Sequence, residues 1–289
     1  MYSLFTHKGF NESSPFQLTE TIKYYINKVE PKIIIVSPGF LSTKPQTTSL
    51  LLNSILSKWN SKMSDKYFGI TSGMNGVKNS WNAIILQNHW DVLRSKKINI
   101  LSFSKRIGGC MSHRTNKDHK KMVFFADLVT PGDIFTDIDE NNLDTFISKI
   151  RVKAVATGSS NFSKTTYLGG NSGFADKGES DIFMYSSEKD GKNKEFHNDL
   201  TKRVKSLTEE ISNEPWLDEE NYNRQNLNEE YINSSDLNNE SVFVPPILSR
   251  SETVGNIPIK ASSKISDSLS DDEKYLTWML YATLKDQLS

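Results

Sequence analysis

The chain has one cysteine, Cys110, in 289 residues. No intramolecular disulfide framework can hold it, which fits a reducing, cytoplasmic compartment. Long apolar runs are missing too: none approaches the roughly 20 residues needed to cross a bilayer. The N-terminus also lacks the charged start and apolar core of a signal peptide. No membrane partner is therefore expected. Net charge is absent, because 35 Lys and Arg balance 35 Asp and Glu. That argues against a simple electrostatic coat on nucleic acid. Apolar residues are scarce, at 36% of the chain with a mean hydropathy of −0.52. Part of the chain should then be extended rather than packed, although the length is ample for a real core.

The charges that cancel overall are segregated along the chain. Residues 96–121 hold eight Lys or Arg against one Asp, and residues 209–240 hold ten Asp or Glu against one Arg. A basic region and an acidic region are thus separated in one molecule. Between the charges runs an alternation of strand and helix patterns. Ser14-Pro15-Phe16-Gln17 reads as a helix start, and the helix should stop by Glu30 because Pro31 follows. Ile33-Ile34-Ile35-Val36 is a run suited to a strand buried on both faces, ending in the Ser37-Pro38-Gly39 loop. That loop is either a plain strand-to-helix turn or part of a site. Further strands are predicted at 68–71, 98–103, 152–157 and 182–185, and helices around 50–59, 83–93, 143–150 and 196–211. The pattern predicts an α/β sandwich with a central mixed or mostly parallel sheet flanked by helices.

Residues 1–211 are expected to form the catalytic domain. Residues 212–269, rich in Asn, Glu and Ser, read as an acidic, loosely structured arm. Residues 270–289 read as a C-terminal amphipathic helix opened by the capping box Ser270-Asp271-Asp272-Glu273. The arm could lie over the basic region, strap a dimer together, or dock a partner.

Two short pieces carry chemistry. In the first, His119-Lys120-Lys121 runs into the apolar strand Met122-Val123-Phe124-Phe125. Side chains alternate along a strand, so His119 and Lys121 share one face. In the second, the apolar strand Val155-Ala156-Thr157 ends in Gly158-Ser159-Ser160-Asn161. There a glycine permits close backbone approach, and a hydroxyl and an amide can hold phosphoryl oxygens. These residue types also favour ordinary turns, but together the two pieces read as a phosphodiesterase site at two neighbouring strand ends. The basic loop before His119 supplies Arg106, His113, Arg114 and Lys117, which with Lys120 and Ser160 are the expected substrate-binding groups. Asp137-Ile138-Asp139-Glu140 lacks the ligand spacing and glycine of a calcium loop, so no metal site and no cofactor are expected.

His119-x-Lys121 followed by Gly158-Ser159-x-Asn161 resembles the signature of the phospholipase D superfamily, which includes small nucleases and restriction endonucleases. Glu179-Ser180-Asp181-Ile182-Phe183 resembles the acidic residue and strand that follow the motif in the nuclease branch. The match covers roughly residues 30–185. It departs from the family at Asp127, which comes after five residues beyond Lys121 instead of four, and in a long insert at 131–149. The role of Asp127 is left open by that departure.

The resemblance implies a phospholipase D-like sandwich and a metal-independent reaction. His119 would attack phosphorus to give a phosphohistidine, with Lys121, Ser159 and Asn161 on the phosphoryl oxygens and Glu179 orienting His119. The family scheme uses two copies of the motif, and this chain has one. The second copy is therefore expected from a partner protomer, in a homodimer with one composite site. The substrate class expected is nucleic acid, DNA ahead of RNA, with restriction or host defence as the setting the resemblance suggests. Two alternatives stand beside it: a lipid phosphodiesterase or phosphatidyltransferase, and a catalytically idle nucleic-acid-binding module of the same fold.

Overall fold

The computed structural model describes residues 1–8, 18–39, 41, 44–57, 59, 65–71, 79–103, 105–107, 110–112, 120–168, 179–187, 191–212, 247–250 and 264–288. The strands are β1 (Tyr2–Lys8), β2 (Ile33–Pro38), β3 (Tyr67–Ile70), β4 (Asn99–Phe103), β5 (Lys105–Ile107) and β6 (Cys110–Ser112). They continue with β7 (Lys121–Leu128), β8 (Asp137–Ile138), β9 (Ile150–Gly158), β10 (Glu179–Tyr185) and β11 (Ile247–Arg250). The helices are α1 (Leu18–Val29), α2 (Pro45–Ile55), α3 (Asn79–Ser95), α4 (Leu143–Ser148), α5 (Lys164–Leu168), α6 (Gly191–Ser212) and α7 (Asp271–Leu288).

Among the described residues nine strands make one mixed sheet in the order β11-β1-β10-β9-β7-β2-β3-β4-β8, while β5 and β6 form a separate hairpin. The pairs from β2 through β3 and β4 to β8 are parallel. Those from β2 back through β7, β9, β10 and β1 to β11 are antiparallel. The α/β reading therefore holds, with a mixed sheet of three parallel and five antiparallel pairs among the described residues.

β2 explains the two-layer packing. Its residues are all buried, and they alternate between two cores as the period of a strand requires. Ile34 and Val36 face one core with α1, α2 and α6, where the Tyr25 ring meets Phe125, Phe183 and Phe196 at centroid distances of 5.0–5.3 Å. Ile33 and Ile35 face the other core with α4 and α7. α1 ends as its sequence demands: Glu30 takes a left-handed conformation (φ 52°) and Pro31 follows. The start expected for this helix at Ser14-Pro15 lies outside the described residues.

Two observations bear on the C-terminal third. Most of the acidic arm, 213–246 and 251–263, lies outside the described residues. Two pieces of it belong to the fold, however: β11 pairs antiparallel with β1, and Ile265 and Leu269 are buried in the second core. The C-terminal helix docks on the chain's own sheet. Leu276, Leu280 and Leu284 of α7 are each fully buried against the sheet. Its capping box closes reciprocally, the Ser270 N–H donating to Glu273 Oε2 (3.2 Å) and the Glu273 N–H to Ser270 Oγ (3.2 Å). Among the described residues no helix is long and apolar enough to cross a membrane.

Candidate functional site

The ends of β2, β7 and β9 lie side by side. Lys121, first residue of β7, is registered against Pro38 at the end of β2. Its neighbour Met122 is registered against Thr157, one residue before Gly158. Lys121 and the Gly158 turn, far apart in sequence, are therefore adjacent at neighbouring strand ends.

Gly158 is where β9 and β10 come too close for a side chain. A Cβ there would sit 2.3 Å from the Ser180 carbonyl oxygen and 2.3 Å from Asp181 Oδ1. The loop that follows is clamped to β10. The Ser159 N–H donates to the Ser180 carbonyl (3.0 Å), and the Ser180 N–H donates back to Ser159 Oγ (2.9 Å). Asp181, 3% exposed, accepts from the Ser160 N–H at Oδ1 (3.2 Å) and from Ser160 Oγ at Oδ2 (2.6 Å). A buried carboxylate held by two donors is well placed to fix the turn. On its other side the loop docks on β2, because the Phe162 N–H donates to the Pro38 carbonyl (3.0 Å). Phe162 is buried, with its ring edge-on to Tyr167 at 5.3 Å.

Between these clamps Asn161 is delivered to Gly39. Gly39 has φ +61°, and a Cβ there would lie 2.7 Å from Asn161 Oδ1 and 2.9 Å from Lys121 Cγ. The amide of Asn161 and the stem of Lys121 thus converge on one glycine at the end of β2. Asn161 Oδ1 is buried and has no hydrogen-bond partner. An amide in that position can offer either its acceptor or, after a half-turn, its donors to a ligand. Buried polar groups are rarely left unpaired in a fold, and one beside a lysine marks a candidate ligand contact.

The remaining expected site residues fall into three groups. Lys120 sits on the β7 side of this cluster but is engaged by the protein: its Nζ contacts Asp286 Oδ2 in the last turn of α7. Nearby, Thr283 Oγ1 of the same helix contacts Met122 Sδ (3.6 Å). Ser160, expected on substrate, is instead turned inward to Asp181 because the turn needs its hydroxyl. Ser159 is exposed and bonded to the backbone of Ser180. Arg106 lies in β5 and Glu179 in β10 opposite Lys8, but their side chains are outside the described residues. His119, His113, Arg114 and Lys117 lie outside the described residues altogether.

Asp127 is not part of the cluster. At the other end of β7, its Oδ1 accepts the Lys32 N–H (2.9 Å) and its Oδ2 pairs with Lys153 Nζ (3.0 Å). Asp139, in the acidic insert, is buried, and its Oδ1 accepts the N–H groups of Asn141 (2.9 Å) and Asn142 (3.1 Å), forming a turn. Among the described residues no group of three or more His, Cys, Asp or Glu is arranged to hold a metal ion.

Three contributors to the cluster had weak signals or none in the sequence. Gly39 stood in a Ser-Pro-Gly loop that reads equally well as a turn. Asp181 stood two residues beyond the acid that the motif singled out. Asp286, on a helix assigned to a separate segment, had no signal. No protein-family model matches the chain, and no curated protein matches it.

Proposed function

We propose that the chain is a phospholipase D-like phosphodiesterase, an endonuclease that cuts DNA through a phosphohistidine at a composite site in a homodimer. The observation that carries this reading is the meeting of Lys121 and Asn161 over Gly39. Lys121 and the Gly158 turn lie at neighbouring strand ends, and an unpaired buried amide oxygen lies there beside the lysine. A lysine and an amide at the ends of adjacent strands suit a phosphoryl group on which negative charge builds.

In the proposed reaction an imidazole nitrogen of His119 bonds to phosphorus while the P–O bond to the leaving strand breaks. The same histidine of a second protomer gives that oxygen its proton. Water then attacks phosphorus, losing a proton to the second histidine as the P–N bond breaks. Lys121 and Asn161 neutralise and orient the non-bridging oxygens in both steps. The fold supports this as an α/β sheet with helices on both faces; the phospholipase D-like sandwich is part of the proposal.

The test is nicking of supercoiled plasmid by the full chain in EDTA, with His119→Ala and Lys121→Gln. Cleavage is expected to survive EDTA and to vanish in His119→Ala. Lys121→Gln should lower it by roughly 100-fold or more, with an unchanged melting temperature. Trapping should place a covalent phosphoryl adduct on His119, and sedimentation should give a dimer. Turnover of phosphatidylcholine in place of DNA would reassign the site to lipid. No turnover of either substrate would leave a binding module of the same fold and remove the nuclease reading.

A further inference from the structure

A cavity of about 710 Å³ opens at the opposite ends of the same strands, beneath the start of α7. Asp127 on its wall is six residues along β7 from Lys121, a distance of roughly 20 Å at the rise of a strand. The cavity is therefore separate from the Gly39 cluster. Its volume falls within the range of small-molecule sites, about 300–1,000 Å³.

The lining is unusual in its charge. Four cations, Lys32, Arg151, Lys153 and Lys192, face three carboxylates, Glu30, Asp127 and Glu273. Lys66 is not on the lining and is 3% exposed. Its ammonium lies 5.1 Å from the Trp59 ring centroid. Burial holds it below the usual lysine range, and it feels the charges of Glu30, Asp127 and Lys192.

The carboxylates are already engaged. Asp127 accepts from the Lys32 N–H and from Lys153 Nζ. Glu273 Oε2 accepts from the N–H and hydroxyl of Ser270. Glu30 holds Lys192 Nζ at 3.4 Å. Lys153 reaches this position because the register of β9 on β7 shifts by one residue there, Phe125 facing Ala154 and Ala126 facing Val152. Such bulges re-aim a side chain, and they recur beside functional sites.

Two cations are left with only loose partners. Arg151 Nε is buried with no hydrogen-bond partner and stands 3.6 Å from Glu273 Oε1. Lys32 Nζ stands 3.7 Å from Asp65 Oδ2, a half-exposed pair that solvent screens. A guanidinium fork and a lysine with unused donors, on the wall of a cation-rich cavity, match the oxygens of a phosphoryl group.

We propose that this cavity binds a phosphoryl group, carried by a small molecule or as the free ion, with Arg151 and Lys32 on its oxygens. The inference stands apart from the nuclease reading, since no residue of the Gly39 cluster takes part.

The experiment is thermal denaturation of the full chain with AMP and with inorganic phosphate, against chloride at equal ionic strength. Either ligand is expected to raise the melting temperature with a saturable midpoint. Tighter AMP names an esterified phosphate, and tighter phosphate names the free ion. Arg151→Gln and Lys32→Gln should each weaken the midpoint by about tenfold or more, the loss of one charge-assisted contact. Lys121→Gln, at the other end of β7, should hold it within about threefold, since the two places do not touch. Lys32 is about half exposed, so its variant is expected to fold even if the Arg151 variant does not. The proposal is overturned if neither ligand shifts the melt, if Lys32→Gln leaves the midpoint unchanged, or if Lys121→Gln abolishes the shift.

Discussion

Gly39→Ala isolates the geometric claim on which the candidate site rests. The backbone at φ +61° is left-handed, and an L side chain there costs about 1–2 kcal/mol. The new methyl would also stand 2.7 Å from Asn161 Oδ1 and 2.9 Å from Lys121 Cγ. Both contacts are too close to persist, so both side chains must move, and forced repacking of this kind costs a further 1–3 kcal/mol or so. The two costs together are roughly 2–5 kcal/mol, a sizeable share of the 5–15 kcal/mol that holds a domain folded. Urea denaturation followed by tryptophan fluorescence should show that loss at an unchanged m-value. Activity should fall further than stability explains, since Lys121 and Asn161 are the groups displaced. Leu143→Ala, in the second core away from the cluster, supplies a comparison of about 2–5 kcal/mol with little effect on turnover by the folded fraction. Gly191→Ala, where a Cβ meets nothing within 4 Å, should be neutral or slightly stabilising. A Gly39→Ala protein as stable and as active as the parent would refute the convergence of the three strand ends.

Three further outcomes are expected. Asp181→Asn removes the charged acceptor for both donors of Ser160, so it should cost about 1–3 kcal/mol and lower activity through the displaced loop; an unchanged melting temperature would deny Asp181 its clamping role. Leu280→Ala, at a fully buried position on α7, should cost about 2–5 kcal/mol; a loss below 1 kcal/mol by urea denaturation would show that the helix is not integral to the sheet. Burial alone would raise the Asp272 carboxyl, but the Met1 ammonium and the hydroxyl and N–H of Ser187 outweigh it and hold it below 3.8. A carboxyl depressed in the folded state contributes stability that is present above its unfolded value and lost as pH falls through the folded one. Stability should therefore drop more steeply below about pH 4 in the parent than in Asp272→Asn, and parallel acid curves would remove the assignment.

Sequence and structure carry two kinds of information. Features set by near neighbours were legible: the doubly buried run of β2, the end of α1 before Pro31, and the capping box at Ser270. Each depends on residues within a turn or two, where steric limits and periodicity act directly. Features set by distant neighbours were not. The sequence leaves the docking surface of 270–289 open between its own domain and a partner, because an apolar stripe on α7 does not say which surface covers it. One practical consequence is that truncation at residue 212 would remove β11 and α7 and expose the second core, so it cannot test the arm alone.

The candidate site divides the same way. The sequence alone determined that a lysine opens one apolar strand and that a Gly-Ser-Ser-Asn turn closes another, because strand patterns and turn residues are local. Only the tertiary structure decided that β7 and β9 are paired neighbours, that Gly39 is the surface on which Lys121 and Asn161 meet, and that Asp181 holds the turn. It likewise placed Asp127 with Lys153 at the far end of β7. The physical reason is strand order: hydrogen bonding across the sheet sets which ends lie together, and those partners are separated by long stretches of chain that carry no local trace of the pairing.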